Sequence, residues 1–492
     1  MYNIQIKEGS RVSMIQTQGK KSLLEILRNE GYSVYAPCGG KGRCGKCLVD
    51  VKGQGKVLAC NYYPDNNIEV ILPAKEEAQI LTAQTAYLED LPPLHSRPLL
   101  HPDAYGVAVD LGTTTVVCYF VQLSSGRISK ISSWMNPQKT YGADVISRIS
   151  FCQENKGGLH LLQKILTESF NKEFESFLSE MKAERQQIQE IVFAGNTTML
   201  HILLGYDPEP LALAPFTPAF TSQQELSAEQ SSLLLHPGGR LITLPCISAY
   251  VGADIVAGLA ALKVPQQNYL FLDIGTNGEM ALVKGNEIFT CATAAGPAFE
   301  GANLSCGMPA LKGAIAVFES PENYKVIGET KPAGICGSGV IDVIAWMLRN
   351  NLMDESGLIQ QDFEIFPQGG IRITQADIRE IQLAKSAIYS GIKILLKRAG
   401  LDFEQLEALF LAGGLGNYIH IPSAIEIGLL PVELRDKIFP VGNSAGIGAL
   451  QFLRSEKFSK KVERVVQQSQ YIELSDDDDF VLEFAMNMDF LK

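Results

Sequence analysis

The chain has 492 residues, which is long for a single domain and predicts roughly three. Hydrophobic residues make up 46% of it, enough to build real cores and to argue against a disordered chain. The net charge of −12, with no Lys/Arg run, argues against nucleic acid or an anionic membrane surface as main partner. No run approaches the ~18 apolar residues of a membrane span, and residues 1–7 lack the pattern of a signal peptide.

The ten cysteines are unevenly distributed, and four of them lie close together near the N-terminus. Ten cysteines in a chain of this size do not make the disulfide framework of a secreted protein. The distribution favours a reducing cytoplasm and a metal site near the N-terminus.

Residues 1–72 show the pattern of a small mixed domain. Ile4 and Ile6, then Val12 and Met14, have strand spacing, and residues 20–30 have helical spacing before Gly31. The four clustered cysteines follow with the spacing C-x5-C-x2-C-x12-C, in a glycine-rich loop whose amides are free to point inward. Residues 48–59 are predicted to form a hairpin that brings the last cysteine back beside the third. The predicted metal ligands are Cys38, Cys44, Cys47 and Cys60.

Two metals suit four cysteines. Zinc is one, but zinc sites usually present two C-x2-C pairs and this chain has one. The glycine-dense loop is more typical of a plant-type [2Fe–2S] cluster, and residues 1–72 resemble a β-grasp ferredoxin. The first spacer has five residues where four are commoner, which bears on the electron donor and the potential rather than on the cluster type.

Residues 73–105 are punctuated by proline and are interpreted as a linker, with a short helix expected over 75–90. A flexible chain of this length spans ~30 Å on average, which would let the first domain swing. The alternative is a segment fixed along the following domain.

The remainder of the chain contains a duplicated motif. Residues 107–117 and 270–280 each consist of an apolar run, an Asp-x-Gly-Thr turn and a second apolar run. Such a hairpin suits phosphate, because turn amides and Thr hydroxyls hold phosphate oxygens and the Asp holds hydrated Mg²⁺. Two copies favour two similar lobes that clamp one nucleoside triphosphate, over a pair of ordinary core hairpins.

Further glycine-rich and polar turns lie between and after the hairpins. Asn196 follows an apolar run as a natural helix N-cap, and Asp254 begins a helix where it serves either as a cap or as a catalytic base. Residues 409–417 form a buried strand entering a glycine turn, and 441–449 begin a helix of small residues suited to close packing between lobes.

In this order, the motifs resemble the superfamily of acetate and sugar kinases, heat-shock chaperones and actin, over about residues 106–455. The resemblance implies Mg·ATP between the lobes, with Asp254 at the position of the sugar-kinase base. It places Asp110 near the metal and, with Asp254 and Asp273, among the catalytic groups. It also places Gly112, Thr113 and Thr114 on one phosphate loop, Gly275, Thr276 and Asn277 on the other, and Gly413, Gly414 and Gly416 at adenosine.

Cys306 and Cys336 each precede a glycine. In activators of 2-hydroxyacyl-CoA dehydratases, paired cysteines on such a fold hold a [4Fe–4S] cluster between subunits. The spacing here differs, so buried thiols are the favoured interpretation.

An iron–sulfur domain joined to an ATP clamp resembles the reductive activators of corrinoid proteins, which return Co(II) to Co(I) in methyl-transfer systems. The resemblance spans nearly the whole chain and is carried also by residues 136–148 and 194–200. It implies a corrinoid protein of a methyltransferase as partner, a low-potential electron donor and a homodimer. Many members have an extra domain between linker and ATPase, which this sequence is expected to lack.

The predicted fold is therefore α+β and α/β: a β-grasp ferredoxin domain, a linker and a two-lobed ATPase. The predicted division is 1–72, 73–105, 106–267 for the first lobe, 268–455 for the second, and 456–492 as an extension packed on the ATPase. Two other functions stay open at this point: a small-molecule kinase with a redox-sensing ferredoxin domain, and a chaperone-like module gated by ATP.

Overall fold

The computed structural model describes residues 2–8, 11–17, 21–30, 32, 34, 36, 40–42, 45–72, 88, 98–264 and 267–490. Three larger sheets organise these residues, one near the N-terminus and two in the remainder. Among the described helices, none has the length and apolarity needed to cross a membrane.

The N-terminal sheet has the strand order β2-β1-β5-β3-β4, with β1 parallel to β5 and the neighbouring pairs antiparallel. The helix starts at a capping box between Ser22 and Glu25, and its apolar face covers the sheet. This mixed α+β unit confirms the predicted β-grasp domain, including the hairpin over 48–59. Its elements are β1 (Tyr2–Glu8), β2 (Arg11–Thr17), α1 (Leu23–Asn29), β3 (Leu48–Val51), β4 (Gly55–Leu58) and β5 (Ile68–Leu72).

Several predicted features lie outside the described residues. They include Cys38, Cys44 and, apart from Leu88, the helix expected over 75–90. Leu88 forms an isolated bridge with Leu262, and Leu100 donates its N–H to Gln189 Oε1 at 2.8 Å. The described linker residues Leu88 and Leu100 therefore contact the first lobe.

The first ATPase lobe is built on a six-stranded sheet with the order β10-β11-β9-β6-β7-β8. Strands β6 and β9 are buried on both faces, which fits their nearly continuous apolar sequence. The elements are β6 (Tyr105–Leu111), β7 (Thr115–Gln122), β8 (Arg127–Met135), α2 (Val145–Glu154), α3 (Gly158–Met181), β9 (Ile188–Gly195), α4 (Thr197–Leu204), β10 (Gln224–Ser227), α5 (Ala228–Ser231), β11 (Arg240–Thr243) and α6 (Ala253–Ala261).

The second lobe is built on a sheet with the order β21-β20-β12-β13-β14-β22. Its elements, and those that end the chain, are β12 (Asn268–Ile274), β13 (Gly278–Lys284), β14 (Glu287–Thr293), β15 (Ala314–Ser320), β16 (Asn323–Val326), β17 (Gly334–Ile335), α7 (Gly337–Arg349), β18 (Phe363–Phe366), β19 (Ile371–Ile373), α8 (Gln375–Ala399), β20 (Ala408–Ala412), α9 (Gly413–Tyr418), α10 (Ile421–Glu426), β21 (Ile438–Gly442), α11 (Ser444–Arg454), α12 (Glu456–Gln468), β22 (Ser469–Tyr471) and α13 (Asp478–Met486).

The two lobes repeat one plan. In each, an antiparallel meander (β6-β7-β8 or β12-β13-β14) is extended by parallel strands on the other side of its first strand. Each predicted Asp-x-Gly-Thr turn joins the first two strands of a meander. The two turns therefore occupy equivalent positions, as the duplicated motif predicts.

Helix α11 connects the lobes. It follows β21 of the second sheet, yet its apolar residues belong to the core of the first lobe. A Cβ on Gly448 would lie 2.2 Å from the carbonyl oxygen of Ala257 on α6, so only glycine permits this crossing. The segment predicted as the second lobe, 268–455, thus supplies a helix to the first. Beyond it, α12 packs on α6, β22 pairs with β14 and α13 packs on α8. The division at residue 455 stays a prediction.

Candidate functional site

A cavity of about 540 Å³ lies between the two lobes, at the ends of β6 and β12. Both hairpin turns open into it, and so do the start of α6 and the glycine turn after β20. Of the residues predicted for the site, it is lined by Asp110, Gly112, Thr113, Thr114, Asp254, Asp273, Gly275, Thr276, Asn277, Gly413 and Gly414.

The first turn, Gly112–Thr114, is held in place by three buried or half-buried side chains of the first lobe. Asn136 donates from Nδ2 to the Gly112 carbonyl at 2.9 Å, and Asn196 donates from Nδ2 to Thr113 Oγ1 at 2.8 Å. Arg148 donates to the Thr113 carbonyl. Asn196 also caps α4 through Oδ1, so the helix and the turn are fixed by one side chain.

Arg148 is a fully buried cation directly beneath this turn. Its Nε donates to the Gly142 carbonyl at 3.0 Å and its Nη1 to Gln138 Oε1 at 3.1 Å. Burial lowers its pKa to about 9, which still leaves the guanidinium charged at neutral pH. A fixed positive charge behind a turn of amides and hydroxyls favours an anion in the cavity.

Three aspartates also line the cavity. Burial, and then the charges of Asp254 and Asp273, raise the pKa of Asp110 to about 8, although a hydrogen bond with Asn443 opposes the shift. Burial, followed by the charges of Asp254 and Glu300, raises the pKa of Asp273 to about 7. For Asp254, burial raises the pKa to about 6 against backbone hydrogen bonds.

Glu279 adds a fourth carboxyl that sequence reasoning did not single out. It lies directly opposite Asp273 in the β12–β13 pairing, and burial together with the charges of Asp254 and Asp273 raises its pKa. Its Oε1 is buried and has no hydrogen-bond partner among the described residues. Clustered carboxylate oxygens with unused acceptor capacity are the donor set that a hydrated Mg²⁺ takes, so these residues fit such an ion.

Glu300 is the second residue that the sequence did not reveal. It ends the 3₁₀ turn Pro297–Glu300, and its Oε2 accepts a hydrogen bond from Thr114 Oγ1 at 3.2 Å, across the cleft. Its Oε1 lies 3.7 Å from where a Cβ on Gly275 would be. The carboxylate therefore sits between the two hairpin turns.

The glycines after β20 differ in their positions. Gly413 has φ +77°, and a Cβ there would lie 2.3 Å from Asp273 Oδ1, whereas a Cβ on Gly414 would meet no atom within 4 Å. Gly416 does not line the cavity, because its Cβ position lies 3.1 Å from Leu411 Cβ on β20. The structure thus brings two of the three predicted adenosine glycines to the cavity.

The contrast between Gly413 and Gly414 gives a testable prediction. We expect Gly413→Ala to weaken nucleotide binding by at least about tenfold, because it strains a left-handed residue and pushes Asp273 from its place. Gly414→Ala, one residue away, is the comparison variant: it lines the same cavity, but its added Cβ meets no protein atom within 4 Å, so its loss of binding should be several-fold smaller. Titration calorimetry with ATP measures both. Equal losses in the two variants would contradict this assignment.

In the N-terminal domain, Cys47 and Cys60 are buried and their Sγ atoms lie 3.2 Å apart. The backbone fixes this approach, since the Ala59 N–H donates to the Cys47 carbonyl at 2.8 Å and the Leu24 N–H at the start of α1 donates to the Ala59 carbonyl at 2.9 Å. The distance is too long for a disulfide, and two adjacent thiols fit one iron of a cluster. Cys38 and Cys44 are not among the described residues, so the full ligand set stays a prediction.

Cys306 and Cys336 differ in burial and in the carbonyl that each thiol contacts. Cys336 is buried at the start of α7, with its thiol 3.4 Å from the Ile315 carbonyl. The Cys306 thiol lies 3.5 Å from the Gly370 carbonyl instead. The prediction of buried thiols thus holds for Cys336, whereas Cys306 is only half-buried.

Comparison with known protein families gives three consecutive matches along the chain, in the same order as the N-terminal domain, the first lobe and the second lobe. Residues 6–65 match the 2Fe-2S iron-sulfur cluster binding domain, residues 105–267 the RACo middle region, and residues 267–492 the C-terminal domain of RACo, the ASKHA domain. The expectation that this chain lacks a middle domain is therefore wrong. What that family describes as its middle region is the lobe around β6–β11, which carries the first Asp-x-Gly-Thr turn.

Two curated relatives and one solved structure are similar over much of the chain. The corrinoid activation enzyme RamQ of Eubacterium limosum is 31% identical and covers 95% of each chain. The [Co(II) methylated amine-specific corrinoid protein] reductase of Methanosarcina barkeri is 26% identical over 69% of this chain and 68% of its own. A structure titled reductive activator for corrinoid, iron-sulfur protein superposes with a TM-score of 0.70 at 29% identity, covering 100% and 98% of the two chains. The chain belongs to the family of corrinoid-activating enzymes that join a 2Fe-2S domain to an ASKHA ATPase domain.

Proposed function

We propose that this chain is an ATP-dependent reductive activator: it passes one electron to the Co(II) corrinoid of a methyltransferase partner and so restores Co(I). The observation that carries the proposal is the presence, on one chain of this family, of a thiol-lined iron–sulfur domain and a two-lobed cleft with paired phosphate turns. Relatives named for corrinoid activation and Co(II) corrinoid reduction support the substrate class.

The N-terminal domain supplies the electron in this proposal. Cys38, Cys44, Cys47 and Cys60 would hold a [2Fe–2S] cluster, which provides a one-electron carrier when bound. The closeness of the buried thiols of Cys47 and Cys60 supports this assignment. A low-potential donor reduces the domain, and a cytoplasmic location would keep these thiols reduced.

The cleft supplies the driving force. The turns Gly112–Thr114 and Gly275–Asn277 would hold the phosphates, supported by the buried cation of Arg148 behind the first turn. Asp110 and Asp273 would hold Mg²⁺, and Gly413 and Gly414 would line the adenosine site. Asp254, at the first turn of α6 and in the lining of the cavity, would orient the water that attacks the γ-phosphate.

In this proposal, ATP in the cleft drives electron transfer from the iron–sulfur domain to the corrinoid. A carrier electron does not flow spontaneously to an acceptor of lower potential, so ATP binding or hydrolysis has to shift the equilibrium. A homodimer is part of the proposal, by analogy with the family. The comparisons favour this function over a small-molecule kinase with a redox-sensing domain.

The proposal is tested with purified corrinoid partner in the Co(II) state and a chemical reductant, with and without Mg·ATP. Absorption spectra are expected to show Co(I) only when protein, reductant and Mg·ATP are all present. A Co(I) yield that does not depend on ATP would contradict the coupled function. Phosphoryl transfer from ATP to a small molecule, without corrinoid reduction, would favour the kinase instead.

A further inference from the structure

The N-terminal domain (residues 2–72) touches both ATPase lobes with basic side chains. Arg28 donates to the Thr140 carbonyl, and its guanidinium carbon lies 5.1 Å from the centre of the Tyr141 ring. Lys46 Nζ donates to the carbonyls of Leu304 at 2.8 Å and Gly307 at 3.0 Å in the second lobe.

A third contact completes the bridge, because Lys41 Nζ lies 2.8 Å from Glu154 Oε1 at the end of α2. We refer to the contacts made by Arg28, Lys41 and Lys46 as the bridging contacts. Lys41 and Lys46 both belong to the cysteine loop, the latter directly before Cys47. The bridging contacts therefore hold the loop that carries the thiols against the ATPase.

On the first lobe, the bridging contacts fall on elements that also support a phosphate turn. Arg148 of α2 donates to the carbonyls of Gly142 and Thr113, and so links the segment after Thr140 to the turn Gly112–Thr114. Glu154, the partner of Lys41, ends the same helix.

On the second lobe, the carbonyls that hold Lys46 follow Glu300 by four to seven residues. Asp377, at the start of α8, fixes this segment by accepting from the Ser305 N–H at 2.7 Å and the Ser305 hydroxyl at 2.5 Å. At its other end, Glu300 accepts from Thr114 Oγ1 at 3.2 Å, between the two phosphate turns. One short segment thus connects the phosphate site to the Lys46 contact.

A triphosphate held by these turns competes with Glu300 in two ways. Its oxygens take the Thr114 hydroxyl, and its negative charge repels the Glu300 carboxylate over a few ångströms in a partly buried site. We propose that ATP binding displaces Glu300 from Thr114, shifts the Leu304–Gly307 segment and so releases the N-terminal domain from its bridge across the two lobes. The inference rests on the proposed function for its purpose, which is to free the electron-carrying loop for the corrinoid partner only when ATP is bound.

Thermodynamic linkage predicts how the loss of a bridging contact changes the affinity for ATP. If ATP weakens the bridging contacts, then weakening the bridge by removing one of them strengthens ATP binding, by at most the factor by which ATP weakens the whole bridge. In the wild type, ATP binding has to break the bridging contacts, which lowers the observed affinity. A variant with a weaker bridge therefore binds ATP more tightly.

The first test is zero-length carbodiimide crosslinking of the iron–sulfur-loaded full chain, with and without the Mg²⁺ complex of the β,γ-imido analogue of ATP. Lys41 and Glu154 are expected to give an amide crosslink that decreases at least about threefold with the analogue. The pair Lys52 and Glu69, within the N-terminal domain and also at 2.8 Å, is the internal control and should not change. A Lys41–Glu154 crosslink that is unchanged, increased or absent in both states would overturn the proposal.

The second test is calorimetric titration of the same analogue into Arg28→Ala. Binding is expected to tighten roughly three- to tenfold, because the variant loses its contacts with Thr140 and Tyr141. Lys52→Ala, on the same domain but outside the bridge, should bind as the wild type does. Equal or weaker binding by Arg28→Ala would overturn the release mechanism. Neither readout requires corrinoid, so failure here is distinct from failure of the proposed function.

Discussion

Cys47→Ser is expected to reduce Co(I) formation to background while ATP still binds. The side chain is 1% exposed, in a core cluster confined to the N-terminal domain, and its Sγ lies 3.2 Å from that of Cys60. Serine is a poor ligand for iron in a thiolate cluster, so the variant should lose the cluster or hold it with an altered potential. The ATP cleft is built from other cores and keeps its shape.

The measurement combines EPR of the dithionite-reduced protein, iron and zinc analysis, Co(I) absorption and ATP titration. The wild type should give the rhombic signal of a reduced [2Fe–2S] cluster, and Cys47→Ser should lose it. Cys306→Ser is the matched control, because this half-buried thiol lies in the second lobe, where it donates to the Gly370 carbonyl at 3.5 Å. A stoichiometric zinc content with no EPR signal in the wild type, or a full Co(I) yield from Cys47→Ser, would contradict the assignment.

The sequence predicted the parts of the site that depend on local patterns. Asp-x-Gly-Thr between two apolar runs specifies a strand, a turn and a strand, so Asp110 and Asp273 could be placed at equivalent strand ends. The spacing of leucines before Gly31 gave α1, and the glycines at 53 and 55 gave the hairpin that returns to Cys60. Each of these inferences needs only residues that are close in sequence.

The site residues that were not predicted show the limits of inference from local sequence patterns. Glu279 had a signal, because an antiparallel hairpin with its turn at Gly275–Asn277 places residue 279 opposite residue 273. Glu300 had none, since it reaches Thr114 through a loop whose path depends on the packing of both lobes. Gly416 was assigned to adenosine because it belongs to the same glycine run, yet it packs on Leu411.

The prediction that the middle region is absent was wrong for a different reason. The resemblance implied an extra domain between the linker and the ATPase, whereas the first phosphate turn is itself part of what the family describes as middle. Likewise, the crossing of α11 onto the first lobe depends on the contact of Gly448 with Ala257, which no sequence period reveals. Small residues in a helix indicate close packing, but not the partner.

Asp110→Asn is expected to lower ATP turnover by about a hundredfold or more, and at the same time to stabilise the nucleotide-free protein at alkaline pH. The loss of turnover follows from the loss of a carboxylate for the proposed Mg²⁺. The gain in stability follows from the cost of ionising Asp110: burial, and then the charges of Asp254 and Asp273, raise its pKa to about 8, and asparagine avoids this cost.

The pH dependence has a definite sign. The pKa values of about 8, 7 and 6 for Asp110, Asp273 and Asp254 lie above the value of ~3.9 expected in the unfolded chain. Between about pH 4 and pH 8 the folded chain therefore holds protons that the unfolded chain has lost, so its stability falls as the pH rises. Asparagine cannot ionise, so Asp110→Asn should show a shallower fall in melting temperature over this window.

Melting temperatures with and without Mg²⁺ distinguish the two effects of Asp110→Asn, which are the loss of a carboxylate for the cation and the avoided cost of ionisation. A divalent cation among the carboxylates compensates their charge, so it should raise the melting temperature of the wild type most at pH 8 and that of Asp110→Asn much less. Asp436→Asn, an exposed position on the turn Val432–Lys437, is the control and should follow the wild type in melting and in turnover. If Asp110→Asn melted below the wild type at pH 8 without Mg²⁺, the cost of ionising a buried carboxyl near two other aspartates would not dominate at this site. A cation-binding site that is destabilised when empty is then the wrong description, and the carboxyl of Asp110 would instead stabilise the fold through its hydrogen bond with Asn443.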